Sequence, residues 1–172
     1  AGGLIIADEV QAGYGRTGQW WGYDAVGLIP DIVVTGKPMG AGLPLAATTA
    51  RRDLVEAFRA ETRYFNTFAA SPLQGEVGLA VIDTLESEGM IDNARTVGAA
   101  LKAGLMESMG RWDSIGDVRG VGLFIGIEFV DGGGAPDKPL AFDVVCRLRD
   151  HGFLTSIDGA FNNMVKIRPP LP

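Results

Sequence analysis

The chain has 172 residues, 47% of them hydrophobic, which is enough to bury an ordinary core in one or two domains. A formal net charge of −6 and a pI near 4.7 argue against a nucleic-acid partner, whose footprint would be basic. One cysteine, Cys146, excludes an internal disulfide and a cysteine-built metal cluster and fits a cytoplasmic setting, the single His151 argues against a histidine-based metal site or triad, and no apolar run approaches the roughly 20 residues of a membrane span.

Residues 4–7 and 32–34 are short apolar runs bounded by Gly or Pro, and both read as buried strands of a parallel sheet. The first strand hands over Asp8 and Glu9 as it ends, and the second hands over Lys37 from a glycine-rich turn. In open α/β sheets ligands sit in the crevice outside the carboxyl ends of strands, so the carboxylate and the amine are aimed at one place. Two readings stand. One is a buried ion pair or two solvated charges. The other is a cofactor site, in which a desolvated lysine becomes nucleophilic toward an aldehyde and an aspartate keeps a pyridinium nitrogen protonated.

Between these strands, Gly13-Tyr14-Gly15-Arg16-Thr17-Gly18 matches the dinucleotide pattern G-x-G-x-x-G. No helix start follows Gly18 and no acid follows a second strand at the spacing a ribose needs, so the segment reads as a turn. Gly36-Lys37 fails as a phosphate loop because Pro38 stands where Ser or Thr would bind magnesium. Trp20, Trp21 and Tyr23 read as packing under a loop, with a substrate entrance as the other reading.

After Lys37, the glycines Gly40 and Gly42 allow a tight turn beside a ligand. A strand over 43–47 and a helix over 51–59 capped by Thr49 are expected next. Ser71, Pro72 and Gln74 then form a capping box with Pro at the first helical position. Thr67, just before it, reads either as an ordinary turn residue or as a phosphate ligand beside the free N–H groups of the helix start. Helices over 72–89 and 93–109 follow, the first with Leu73, Val77, Ala80, Val81 and Leu85 at helical spacing, the second with Ala94, Val97, Leu101 and Leu105 facing inward.

The pattern changes from Ile115 onward, with strands at 122–130, 153–157 and 164–168 and a helix over 139–151, an α+β layout. His151 reads as a cation at that helix's C-terminus. Lys166 and Arg168 alternate on the last strand and share a face, either as solvated, edge-protecting charges or as anion ligands; Arg119 in DVRG is a third candidate.

The segments ADEVQAGYGRTG, PDIVVTGKPMGAGLPLAA, YFNTFAASP, IGDVRGVGLFIGIEF and VKIRPPLP, in that order and spanning nearly the whole chain, resemble the class III aminotransferases of the pyridoxal 5′-phosphate (PLP) fold type I group. The resemblance implies an α/β fold: residues 1–91 the C-terminal part of a large PLP-binding domain, a mainly parallel sheet with flanking helices, and residues 92–172 a small, incomplete α+β C-terminal domain. It implies that Lys37 forms the Schiff base, Asp8 partners the pyridine nitrogen, Val10 packs on one ring face, Gln11 bonds the phenolic oxygen, and Thr67 reaches the neighbouring subunit's phosphate in a homodimer. Arg168, Lys166 and Arg119 lie where the resembled family approaches its substrate. A longer enzyme is implied, whose first half carries a glycine-rich phosphate loop and the aromatic ring that stacks on the cofactor. The expected reaction is amino transfer from an amine or amino acid to a keto acid, without a metal.

TGKPMG, YFNTF and VKIRPPL look closest to the branch of alanine:glyoxylate aminotransferases of the second type and ethanolamine-phosphate phospho-lyases. The phospho-lyases often read GKPMGNGHP, whereas this chain has Gly40-Ala41-Gly42-Leu43-Pro44. Phospho-lyase action on a phosphorylated amine is therefore the second expectation, and a catalytically silent folding or dimerisation unit the third.

Overall fold

A computed structural model describes residues 2–172, which form two compact units, the first ending at Ile91 and the second running from Asp92 to Pro172. The first unit holds a three-stranded sheet in the order β1-β2-β3, with β1 at Ile6–Asp8, β2 at Ile32–Thr35 and β3 at Ala47–Ala50. β1 and β2 run parallel as expected, with Asp8 opposite Val34, whereas β3 runs antiparallel to β2. The expected strand over 43–47 starts only at Ala47, because Gly42 (φ +107°) and Pro44 keep 41–46 out of the ladder. Burial of the first strand is also corrected: Ile6 is 61% exposed, since β1 is paired on one side alone.

Asp31 ties the strand starts together. Its Oδ2 accepts the Ile5 N–H at 2.8 Å, its carbonyl accepts the Arg51 N–H at 3.2 Å, and its Oδ1 pairs with the Arg51 guanidinium. Arg51 therefore occupies the N-cap of α1 (Arg52–Glu61) in place of the expected Thr49, which lies within β3. Helix α2 (Pro72–Ser87) starts as the sequence predicts, with Ser71 Oγ accepting the Gln74 N–H at 3.4 Å. Only half of the capping box forms, because the Gln74 side chain donates instead to the Pro44 carbonyl at 2.9 Å.

In the second unit an antiparallel sheet has the order β4-β5-β7-β6. Its strands are β4 (Ile115–Val121), β5 (Phe124–Phe129), β6 (Ser156–Asp158) and β7 (Met164–Ile167). The strand expected over 122–130 is thus split from β4 by a tight turn, in which Gly122 takes φ +56°. Val118, Ile125, Ile127, Phe129 and Val165 alternate onto one face and meet Ala141 of α4 (Lys138–Asp150). Leu101 and Leu105 of α3 (Met90–Met109) pack on the same core, but Val97, expected inward, is 45% exposed. Ala94 is buried as expected, and Gly98 takes the inward position in place of Val97. At Gly98 a Cβ would stand 2.2 Å from the Gly122 carbonyl oxygen, so the helix backbone rests directly on the hairpin turn. His151 sits at the end of α4 with Nδ1 2.8 Å from the Arg147 carbonyl, matching its expected place at a helix C-terminus. No helix among the described residues is long and apolar enough to cross a membrane.

Candidate active site

The parallel pairing of β1 and β2 brings two differently charged termini to one end of the first unit's sheet. Asp8 is the last residue of β1, and Lys37 lies two residues beyond β2. Asp8 is exposed, and its Oδ1 accepts the Val10 N–H at 3.1 Å, which folds the chain back at the strand end. Glu9 behaves oppositely: it is 3% exposed, and its carboxylate accepts N–H bonds from Gly22 and Tyr23 at 2.7 and 2.9 Å. Of the two carboxylates delivered by β1, only Asp8 faces outward.

The 10–23 segment between them is a turn-rich loop rather than a helix start. Tyr14, Gly15 and Gly18 all take positive φ, and no α-helix opens after Gly18 as the nucleotide-binding pattern requires. Its aromatics pack on one another: the Tyr14 and Trp21 rings meet edge to face at 5.5 Å, and Trp21 stacks on Tyr23 at 6.2 Å. Burial raises the Tyr14 phenol above its ordinary value, and burial followed by the Asp24 and Glu9 charges does the same to Tyr23.

On β2, Thr35 is buried, and its hydroxyl lies 3.3 Å from the Ala47 carbonyl and 3.4 Å from Met39 Sδ. Gly36 then admits Val10: a Cβ on this glycine would lie 3.9 Å from both methyl carbons of Val10. Lys37 follows with φ +41°, in the left-handed region that costs a non-glycine residue roughly 1–2 kcal/mol. It is exposed and makes no ion pair among the described residues. Strain of this kind clusters where side-chain placement outweighs backbone comfort.

Lys37 lines an open groove of about 680 Å³. Leu43, Tyr64, Asn66, Phe68 and Gln74 form much of its wall, and the Gln74 bond to the Pro44 carbonyl ties α2 to the 42–46 loop. Thr67 is exposed between two lining residues, in a turn closed by Asn66, whose Oδ1 accepts the Phe68 N–H at 3.0 Å. Gln11 is half-buried in the turn after β1.

The family model for class-III aminotransferases matches residues 1–172. The chain belongs to that family. Class-III aminotransferases depend on pyridoxal 5′-phosphate, and this chain is similar to two differently named groups of relatives. It is 38% identical to ethanolamine-phosphate phospho-lyase homolog 1 of Caenorhabditis elegans, covering 99% of this chain and 38% of that protein. It is 40% identical to an alanine–glyoxylate aminotransferase 2-like protein of Drosophila melanogaster, covering 99% of this chain and 36% of the relative. Among solved structures, an Arthrobacter phospholyase in complex with phosphoethanolamine superposes with a TM-score of 0.93 at 39% identity, over 99% of this chain and 41% of that one. The class-III chain thus spans less than half the length of the curated relatives it matches.

Three further sequence-predicted residues of this class-III chain lie in the second unit. Arg119 pairs with Asp117 at 2.7 Å and with Glu128, and Lys166 pairs with Asp158. Arg119 first, and Asn163 after it, hold the Glu128 carboxyl below the usual carboxylate range; Lys166 does the same for Asp158. Arg168 is exposed one residue beyond β7, so it does not alternate with Lys166 within the strand as the sequence pattern suggests. Sequence reasoning also passed over Tyr64, Asn66 and the clamp made by Glu9. The bond from Glu9 reaches 13 and 14 residues along the chain, and no local periodicity carries it.

Proposed function

We propose that the protein to which this chain belongs is a PLP-dependent aminotransferase. It moves an amino group from an amine or amino acid to a keto acid, with 1–91 serving the cofactor-binding domain and 92–172 the small domain. The observation that carries this reading is Lys37: exposed, held in a left-handed conformation at a strand end, on the wall of a groove. The residues present fit the cofactor, since an outward carboxylate and an outward amine end adjacent parallel strands and an apolar Val10 side chain packs beside Gly36. Bound PLP supplies an aldehyde for amines and an electron-accepting ring.

Lys37 would hold the cofactor through Nζ, and Asp8 would keep its ring nitrogen protonated. Val10 would cover one ring face, Gln11 would bond the phenolic oxygen, and Thr67 would reach the phosphate of a neighbouring subunit in a homodimer. The Lys37 amine would also carry a proton at the substrate carbon as general base. Arg168, Lys166 and Arg119 are proposed for the substrate side; Lys166 and Arg119 are engaged by carboxylates, so anion binding by either must first open an ion pair. The cytoplasmic setting expected from the lone cysteine belongs to the same proposal.

A phospho-lyase acting on a phosphorylated amine is the second reading, favoured by the similarity to the Arthrobacter phospholyase. Ala41 weighs against it. Its φ of +46° is a conformation that Asn tolerates better than Ala, so backbone preference does not explain the absence of the lyase-like Asn. A catalytically silent unit is the third reading. Borohydride reduction of the full-length enzyme followed by peptide mapping tests the proposal: the cofactor label is expected on Lys37. A label on Lys102, Lys138 or Lys166 overturns the assignment.

A further inference from the structure

The strand end that presents Asp8 is held by a residue to which the proposed chemistry gives no part. Glu9 engages its polar groups in three directions at once. Its N–H donates to the Val34 carbonyl at 2.8 Å, which extends the β1–β2 ladder, and its own carbonyl accepts the Gly13 N–H at 3.1 Å. Its carboxylate meanwhile accepts the Gly22 and Tyr23 N–H groups, which open the short 3₁₀ turn Gly22–Val26. One residue thus joins the sheet and the first turn after it through its backbone, and the far end of the loop through its buried side chain.

The fit at the far end is tight. A Cβ on Gly22 would stand 2.6 Å from the Ala12 Cβ and 3.3 Å from both Glu9 carboxylate oxygens. The neighbours of Glu9 are the two residues proposed to touch the cofactor ring. Asp8 is tied to the Val10 N–H, and Val10 packs on the Gly36 backbone that leads into Lys37. The Glu9 backbone is the covalent link between the two.

We infer that Glu9 is a positioning residue for the cofactor: its carboxylate clamps the 10–23 loop so that Asp8 and Val10 keep their ring-facing places. This rests on the reading of Asp8 and Val10 given above. Glu9→Gln keeps the shape but offers one oxygen to two N–H donors, and its amide N–H₂ faces the other donor. Losing one such bond corresponds to about a tenfold change in a binding constant.

The test uses the full-length enzyme and pyridoxal 5′-phosphate itself. Glu9→Gln is expected to raise the cofactor Kd about tenfold and to move the pH midpoint of the bound cofactor's visible absorbance by about 0.5 unit. Leu85→Ala, a core change in the same unit, serves as the control for general destabilisation and is expected to lower Tm while leaving both readouts in place. An unchanged Kd and midpoint in Glu9→Gln overturn the role, as do equal shifts in Leu85→Ala. If Glu9→Gln is insoluble, Glu9→Asp, whose shorter side chain draws the carboxylate back from the Gly22 and Tyr23 N–H groups, is measured with the same outcomes. Given borohydride labelling of Lys37 in the unaltered enzyme, a silent Glu9→Gln removes the positioning role alone; an unlabelled Lys37 removes both proposals.

Discussion

Both units carry charges on or beside their strands, but they treat them differently. In the second, Arg119 meets Asp117 on its own strand and Glu128 on the neighbouring one, and Lys166 meets Asp158 across the sheet. In the first, Lys37 lies two residues beyond β2, exposed and without an ion pair among the described residues, and Asp8 faces outward from β1. Glu9, the carboxylate that does turn inward there, is matched by two backbone N–H groups rather than by a cation. Cross-strand charges that meet each other brace the sheet. On the proposed reading, charges kept apart at the carboxyl ends of parallel strands serve a ligand.

The same substitution in both units sharpens this contrast. Asp8→Asn in the full-length enzyme removes the proposed partner of the ring nitrogen, and turnover is expected to fall about a hundredfold, near 3 kcal/mol, with a smaller loss of cofactor affinity. Steady-state kinetics beside a PLP titration decide it, and near-normal turnover with cofactor bound would return Asp8 to the reading of a solvated charge.

Helix glycines give the next largest effect, and the two units should respond with opposite signs. Gly98→Ala drives a Cβ into the Gly122 carbonyl and is expected to destabilise by about 2 kcal/mol or more. Gly75→Ala in α2 meets nothing within 4 Å and should stabilise by about 0.5–1 kcal/mol through helix propensity. Urea midpoints measure both; a stabilised Gly98→Ala would refute the close contact between α3 and the hairpin.

These two glycines also show how far the sequence can be read. Each sits in an apolar helical pattern, and nothing local distinguishes the one in open space from the one against backbone. Strand ends were legible because 32–34 is bounded by Pro30 and Gly36, and the start of α2 because Ser71-Pro72 is a strong local signal. The β4–β5 turn was lost inside an apolar run, since Gly122 reads there as a strand residue until its φ of +56° is seen. In the groove, Lys37 could be expected from its strand end, whereas Tyr64 and the redirected Gln74 side chain depend on tertiary approach from a distant segment.

The smallest effect is electrostatic. Lys166 holds the Asp158 pKa below its unfolded value, so the pair's contribution is complete above the ordinary aspartate range near 3.9 and is lost as pH falls through the lower folded value. Asp158 is about half exposed, and the pair is therefore worth about 0.5 kcal/mol. Asp158→Asn should lower Tm slightly at pH 7, and its gap from the unaltered protein should close on acidification below about pH 4. A gap that persists at pH 2 would point to packing rather than charge.

The left-handed backbone of Lys37 carries an evolutionary consequence. At that φ, glycine sits without steric cost and asparagine with little, while every other side chain is disfavoured. On the proposed role, use of its amine is what retains a lysine there. In a lineage that has abandoned the chemistry but kept the fold, drift at this position is biased toward Gly and Asn. The residue found at position 37 would then serve as a molecular fossil, dating the loss of activity even where the rest of the groove still looks intact.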